Sequence, residues 1–277
     1  MVKIYFLNHK KNIYLIFIYL FMEEYKKNQF LNSKYDFINI IKKDDNKKCF
    51  LVKKKDTQQK FIMKEFNLSK FDQEIQKLMS QEWNKLIKLK HPNIINYYDF
   101  YLENNNAYII TEYLENGSLF HKIKEQKNKN FPFEEKVIID WFIQICEGIK
   151  FINDKKINHK FLKSSKIFIA DQNKIKIEFI DIYDLHQEKI NNEKKDIYSL
   201  GVILYELTQL NFPFIDKTLI GKENNKKEKK FDLTNQNYSN KLIDLIKQIV
   251  YQELDLNINQ IILIIYSLII KKNNIEE

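Results

Sequence analysis

The apolar residues of this 277-residue chain change their period partway along it, and that change limits the folds it can adopt. Between residues 35 and 66 they form short runs: Phe37-Ile38-Asn39-Ile40-Ile41, Cys49-Phe50-Leu51-Val52 and Lys60-Phe61-Ile62-Met63-Lys64. Period-two runs separated by charged turns predict an antiparallel sheet. Over residues 72 to 90 the period lengthens, and Ile75, Leu78, Met79, Leu86 and Leu89 are expected on one face of a helix. Strands are expected again at residues 97–101 and 107–113. From Glu134 onward the spacing is helical, with Val137, Ile138, Trp141, Ile145, Ile149 and Ile152 on one face and a second apolar helix from Ile197 to Leu207. A β-rich first part followed by a helical second part is an α+β arrangement of two lobes, joined where Asn116-Gly117 interrupts the pattern.

A chain that is 44% hydrophobic can bury a sizeable core. Its formal charge of +9 raises nucleic acid or acidic membrane as partners. All 46 basic residues are Lys, however, and bidentate reading of phosphate and guanine is the work of Arg, so sequence-specific nucleic-acid binding is not expected. The run Lys226-Lys227-Glu228-Lys229-Lys230 reads as a solvated loop. Two cysteines, Cys49 and Cys146, make no disulfide framework, which suits a reducing, intracellular and cytoplasmic setting. The five His are scattered without metal-ligand spacing. Ile13 to Met22 is apolar and follows a Lys-rich stretch, as in a signal peptide. It falls short of the ~20 residues that span a bilayer, and Glu23, Glu24 and Tyr25 follow in place of a small-residue cleavage site. Neither a transmembrane span nor membrane contact by residues 1–22 is expected; a packing arm, or a start at Met22 in place of Met1, are the alternatives.

Four segments carry a family resemblance. They are Leu89-Lys90-His91-Pro92-Asn93-Ile94-Ile95, Asp140-Trp141-Phe142-Ile143-Gln144-Ile145-Cys146, His159-Lys160-Phe161-Leu162-Lys163-Ser164-Ser165-Lys166-Ile167-Phe168, and Asp196-Ile197-Tyr198-Ser199-Leu200-Gly201-Val202. In this order they resemble the eukaryotic protein kinase domain, specifically its NIMA-related Ser/Thr branch, over residues 35 to 266. The resemblance implies a small antiparallel β lobe with one helix at 35–114 and a larger helical lobe at 115–270. Residues 1–34 would then be an N-terminal extension not counted in the domain, and 271–277 a tail. It further implies that Lys64 pairs with the α- and β-phosphates of ATP, that Glu82 is the partner of Lys64, and that Asp196 orients the backbone of the catalytic loop. Ile41, Cys49, Ile62, Leu114 and Phe168 fall where the family encloses adenine, Glu112 to Leu114 where backbone groups bind it, and Thr111 at the gatekeeper position.

The departures from the family pattern all concern its chemistry. The loop H-R-D-x-K-x-x-N keeps Lys163, but Phe161 replaces the Asp that receives the substrate proton and Lys166 replaces the Asn that holds magnesium. The glycine-rich phosphate loop is replaced by Ile41-Lys42-Lys43-Asp44-Asp45-Asn46-Lys47-Lys48-Cys49, which contains no glycine. The metal-binding Asp of D-F-G falls on Phe179 at the usual spacing from His159, or on Asp181 if the preceding hairpin is two residues longer. Only about 15 residues then lead to Asp196, too few for an activation segment, and no A-P-E motif is present. Ile62 stands where a small Ala is usual and would press on the adenine plane. The expectation is a pseudokinase with weak ATP binding and little use for magnesium, acting as a regulatory or scaffolding module on a protein partner, an active kinase or its substrate. The alternative is a weakly active Ser/Thr kinase that transfers the ATP γ-phosphate through Lys64, Glu82, Asp181 and Lys163, with Lys163 or Asp184 replacing the base.

Overall fold

A computed structural model describes residues 29–43, 47–156, 159, 162–178, 193–212, 233, 237–251 and 254–273. The chain divides into two compact units, the first running to Lys90 and adding Asn96–Tyr113, the second made of His91–Ile95 and the chain from Leu114 onward.

In the first unit, β1 (Tyr35–Lys43), β2 (Lys47–Lys54), β3 (Lys60–Asn67), β4 (Tyr97–Glu103) and β5 (Asn106–Glu112) form one antiparallel sheet in the order β1-β2-β3-β5-β4. The β4–β5 hairpin closes through Asn104 and Asn105, both at positive φ, a conformation Asn tolerates better than most residues. Alternation then gives the sheet two faces of different character. One carries Phe50, Val52, Phe61, Met63, Tyr108 and Ile110, packed with Leu31 and Tyr35 into a buried cluster. Leu31 belongs to the short helix α1 (Gln29–Lys34) and is fully buried, although the sequence places it in an extension preceding the domain. Lys55, in the β2–β3 turn, ties that helix down: its N–H donates to the Lys34 carbonyl at 2.9 Å and its ammonium to the Asn32 carbonyl at 2.6 Å.

The helix expected over residues 72 to 90 is α2 (Gln73–Leu86), opened by Asp72, whose carboxylate accepts the Ile75 N–H at 2.8 Å. Its buried face is Met79, Trp83 and Leu86, with Trp83 stacked on Phe100 at a centroid distance of 5.7 Å. Leu78 is 60% exposed, so the expectation that it shares this face is wrong. The i, i+4, i+7 stripe passes through Met79 and the larger Trp83, which turns Leu78 about 100° away.

The second unit contains α3 (Leu119–Lys129), α4 (Glu135–Asp154), a small hairpin of β6 (Ile167–Ile169) and β7 (Ile175–Ile177), α5 (Glu193–Gln209), α6 (Asn240–Val250) and α7 (Ile258–Asn273). Helix α4 is its centre: Ile138, Trp141, Phe142, Ile145, Cys146, Ile149 and Ile152 are all buried, in agreement with the helical spacing. The segment His91–Ile95, which the sequence assigns to the first lobe, belongs here. The Ile177 N–H donates to the Asn93 carbonyl at 2.9 Å and the Ile95 N–H to the Ile177 carbonyl at 3.0 Å, so the segment extends the β7 edge. Among the described residues no helix is long and apolar enough to cross a membrane.

Replacing Leu31 by Ala should open a cavity in the small sheet's core and cost about 2–4 kcal/mol, read as a melting temperature lower by roughly 5–10 °C. An unchanged melt would place Leu31 outside the cooperative fold.

Candidate functional site

The second face of the small sheet mixes lysines with apolar side chains, of which Phe66, Ala107 and Ile109 are buried. Register places Lys42, Cys49, Lys64 and Ile109 in one cross-strand row, and Leu51, Ile62 and Thr111 in the row beside it. Lys47 lies two residues from Cys49 on the same face, with its ammonium 5.0 Å from the centre of the Phe66 ring. Lys64 is 6% exposed and Thr111 1%. Burial pushes the Cys49 thiol pKa up, while the Lys64, Lys47 and Lys42 ammoniums pull it back down. At the end of β5, the Glu112 carboxylate accepts the Asn96 N–H at 2.7 Å and the Glu112 N–H donates to the Asn96 carbonyl at 3.1 Å, which pins the strand's exit.

The second unit contributes a loop held from below. Asp196, on the first turn of α5 and fully buried, accepts the His159 backbone N–H at 2.9 Å. The His159 ring lies 2.9 Å from the Glu178 carbonyl through Nε2; a carbonyl only accepts, so Nε2 carries the proton. Burial, then the Lys166 ammonium, drive the His159 pKa down to about 3, so the ring is neutral. Lys163 is exposed and begins a one-turn 3₁₀ helix, Ser164–Lys166, which closes when the Lys166 N–H donates to the Lys163 carbonyl at 2.8 Å. Lys166 is 6% exposed. Phe168 is bridged to Ser118, and the Ile169 N–H reaches the Gly117 carbonyl at 3.1 Å, which brings β6 beside the turn that starts at Leu114.

A two-face antiparallel sheet with one helix, and a loop anchored to a helix Asp, are what the four sequence segments imply. The sequence model of the protein kinase domain matches residues 35–185. The chain belongs to the protein kinase family. Among its relatives it is 33% identical over 202 residues to the serine/threonine-protein kinase Nek3 of Mus musculus, covering 65% of this chain and 39% of that protein. It is 32% identical to the serine/threonine-protein kinase Nek5 of Homo sapiens, over 66% of this chain and 29% of that one. With the probable serine/threonine-protein kinase nek3 of Dictyostelium discoideum it shares 34%, over 66% of this chain and 18% of the relative. The Nek, or NIMA-related, branch is the one the sequence segments resemble. The chain thus spans well under half the length of these relatives.

Within this kinase fold, Cys49, Ile62, Lys64 and Thr111 share one face of the first unit, with Glu112 at its margin; Ile41, beside Lys42 on the edge strand, is 53% exposed. Leu114 and Phe168 lie in the second unit, half-buried. Glu82 is on α2, and its side chain lies outside the described structure, as do Phe161, Phe179, Asp181, Tyr183, Asp184 and residues 1–22. Kinases normally use magnesium, and the position of the metal-holding Asn tests whether this chain suits it. Lys166 there offers donors only and a positive charge, so it repels a divalent cation that needs oxygen ligands. No group of three or more His, Cys, Asp or Glu side chains that could hold a metal occurs among the described residues.

Two residues near the loop are not singled out by the sequence reading. Asn93 joins three elements: its amide donates to the Gln144 Oε1 at 3.2 Å and the Ile175 carbonyl at 3.0 Å, and its own carbonyl receives the Ile177 N–H. Its place in His91-Pro92-Asn93 is the available sequence signal. Glu206 follows Asp196 by ten residues on α5, is buried, and its pKa is raised to about 7 by desolvation against an opposing hydrogen bond from Ser164. Its Oε2 has no hydrogen-bond partner among the described residues. The apolar spacing of α5 hides it, because a Glu in an otherwise hydrophobic helix reads as a solvent-facing position.

The raised Glu206 pKa means that the folded state holds a proton the unfolded chain releases between about pH 4.5 and 7. The stability tied to this proton is complete below that window and lost as pH rises through it. Glu206→Gln should therefore melt with its parent at about pH 5 and be more stable by about 1–3 kcal/mol at about pH 8. Equal melting at both pH values would mean that Glu206 is ionised in the fold.

Proposed function

We propose that this protein kinase fold works as a pseudokinase, a module that binds and regulates or scaffolds a protein partner, an active kinase or that kinase's substrate, without transferring phosphate. The observation that carries the reading is the contrast within one loop. Its supports persist, with Asp196 on the His159 N–H and His159 on the Glu178 carbonyl, each at 2.9 Å. Its chemical positions do not, since Phe161 has no group that accepts a proton and buried Lys166 has no electron pair for a metal while protonated.

Phosphoryl transfer depends on positioning and charge neutralisation, so removing the base, a metal ligand and the glycine cradle together removes several orders of magnitude in rate. Binding and scaffolding need none of these; they need a folded surface, which the two buried cores supply. ATP binding is weak in this reading, because Ile62 fills space beside Leu51 and Thr111 and no glycine backbone approaches the phosphates. The compartment is intracellular and cytoplasmic in the same reading, with Cys49 and Cys146 both free thiols.

With radiolabelled ATP, no transfer to basic peptides or to the chain itself should be measured, and Phe161→Asp alone should not restore it. Transfer that Lys64→Met abolishes would overturn the pseudokinase reading.

A further inference from the structure

Within the second unit, α3 and α5 both end at a pocket of about 550 Å³, a size that suits a small ligand or the end of a peptide. We propose that this pocket receives the free C-terminus of a partner protein, with the terminal carboxylate held between the Lys127 ammonium and the Asn211 carboxamide.

Three segments line the pocket, and each is fixed by contacts of its own. Helix α3 closes at Asn130, whose left-handed backbone lets its N–H donate to the Lys127 carbonyl at 3.1 Å, and Pro132 follows on the wall. Helix α5 ends at Gln209, and the buried Leu210 then turns the chain at a φ of 49°, which residues other than Gly adopt only at a cost. That turn delivers Asn211 to α3, where the Lys127 ammonium donates to its Oδ1 at 3.1 Å. The third segment holds Asn237, whose neighbours Tyr238 and Ser239 are tied to the start of α4. The Tyr238 hydroxyl donates to the Phe133 carbonyl at 3.0 Å, and the Glu135 carboxylate accepts the Ser239 N–H at 2.7 Å. Walls held in this way are in place before a ligand arrives, which lowers the ordering cost of binding.

The side chains on these walls select the ligand. Among the described residues the lining contains no Asp, Glu, His, Cys or Ser, so it offers neither a nucleophile nor an acid–base pair and is suited to binding alone. Lys127 has three donors and gives one to Asn211; Glu125 on the same helix is taken by Lys122 and Lys129, at 3.2 and 2.6 Å. An ammonium only donates, so the Asn211 oxygen faces it and the Asn211 NH₂ group is left as a second donor beside it. A carboxylate accepts from both at once. The Asn130 carboxamide, a donor and an acceptor, matches the peptide group that precedes a terminal residue, and Pro132 and Leu210 give its side chain an apolar wall. An inorganic anion would use the two donors and leave the rest unmatched, and a metal ion would be repelled by Lys127. The carbonyl ends of α3 and α5 carry partial negative charge, so the preference for a carboxylate depends on the lysine. This inference rests on the proposed function only in taking a protein as the partner, and the phosphotransfer assay tests the loss of catalysis separately.

The test follows the side-chain amide resonances of Asn130 and Asn211 in the full chain by NMR. The probes are acetyl-alanyl-alanyl-leucine with a free carboxylate, the same peptide as its C-terminal amide, and acetyl-aspartyl-alanyl-leucine amide, which carries its acid away from the end. The free acid should shift both resonances with a Kd on the order of 1 mM or tighter, and the amidated peptide should bind at least about threefold more weakly. Lys127→Met should weaken the free acid about three- to tenfold and remove the difference between acid and amide. Lys127 is exposed, so this variant should melt as its parent does. Equal binding of acid and amide, a preference for the acid that survives Lys127→Met, or an internal aspartate that binds as well as the free C-terminus would each overturn the proposal. No shift of either resonance with any of the peptides at millimolar concentration would also overturn it.

Discussion

The second unit is organised around one buried carboxylate. Asp196 is fully excluded from solvent, and a charge in that position is costly unless hydrogen bonds compensate it. It sits on the first turn of α5, where the helix dipole favours negative charge, and it takes the His159 N–H. His159 in turn fixes the Glu178 carbonyl just past β7, and β7 carries Asn93 and the His91–Ile95 segment on its edge. A chain of directional contacts therefore runs from α5 through the loop to the small hairpin. Gly201 allows α5 to sit close enough to α6 for this, since a Cβ there would lie 2.6 Å from Ile249 Cγ2. None of these contacts involves a group that would act on a substrate, so the loop's supports and its chemical positions are separate residues.

The small unit makes the same separation across the thickness of one sheet. Its packed face, with Leu31, Tyr35, Phe50, Met63 and Ile110 buried, supplies stability and tolerates only volume-conserving change. Its other face leaves Lys42, Lys47 and Cys49 at least partly open to solvent, but Lys64, Phe66, Ile109 and Thr111 on it are buried, so the separation is incomplete and substitutions at those positions also cost stability.

Much of this was legible in the sequence, for identifiable reasons. The period-two runs located β1, β2 and β3, because a half-buried strand must alternate, and the α4 spacing located a helix core that is buried as expected. The role of Asp196 followed from a motif whose geometry depends on backbone hydrogen bonding and so survives changes in side-chain chemistry. What was not legible depended on tertiary partners. Leu78 and Trp83 are both apolar, and it is Trp83 that meets Tyr97 and Phe100 of β4 and is buried. Helix α1 is six residues long, too short to show a period, and is held by Lys55 from a distant turn. Glu206 was hidden because a sequence pattern records polarity and not desolvation. The catalytic positions were legible as departures, since Phe161 and Lys166 are conspicuous only against the motif around them.

Those departures do not share a sign. A neutral Asn position has become Lys166 and two of the three glycine positions have become Lys42 and Lys47, but the third has become Asp44, with Asp45 beside it, and an acid was lost at Phe161. For a phosphate oxygen the lysines are attractive and Asp44 is repulsive, and for a magnesium ion the signs reverse. In the row Lys43-Lys48-Glu65, the Glu65 carboxylate meets the Lys48 ammonium at 2.8 Å. What the replacements have in common is therefore not a charge but a lost geometry: no glycine lets backbone approach a phosphate closely, and no oxygen ligand stands at position 166.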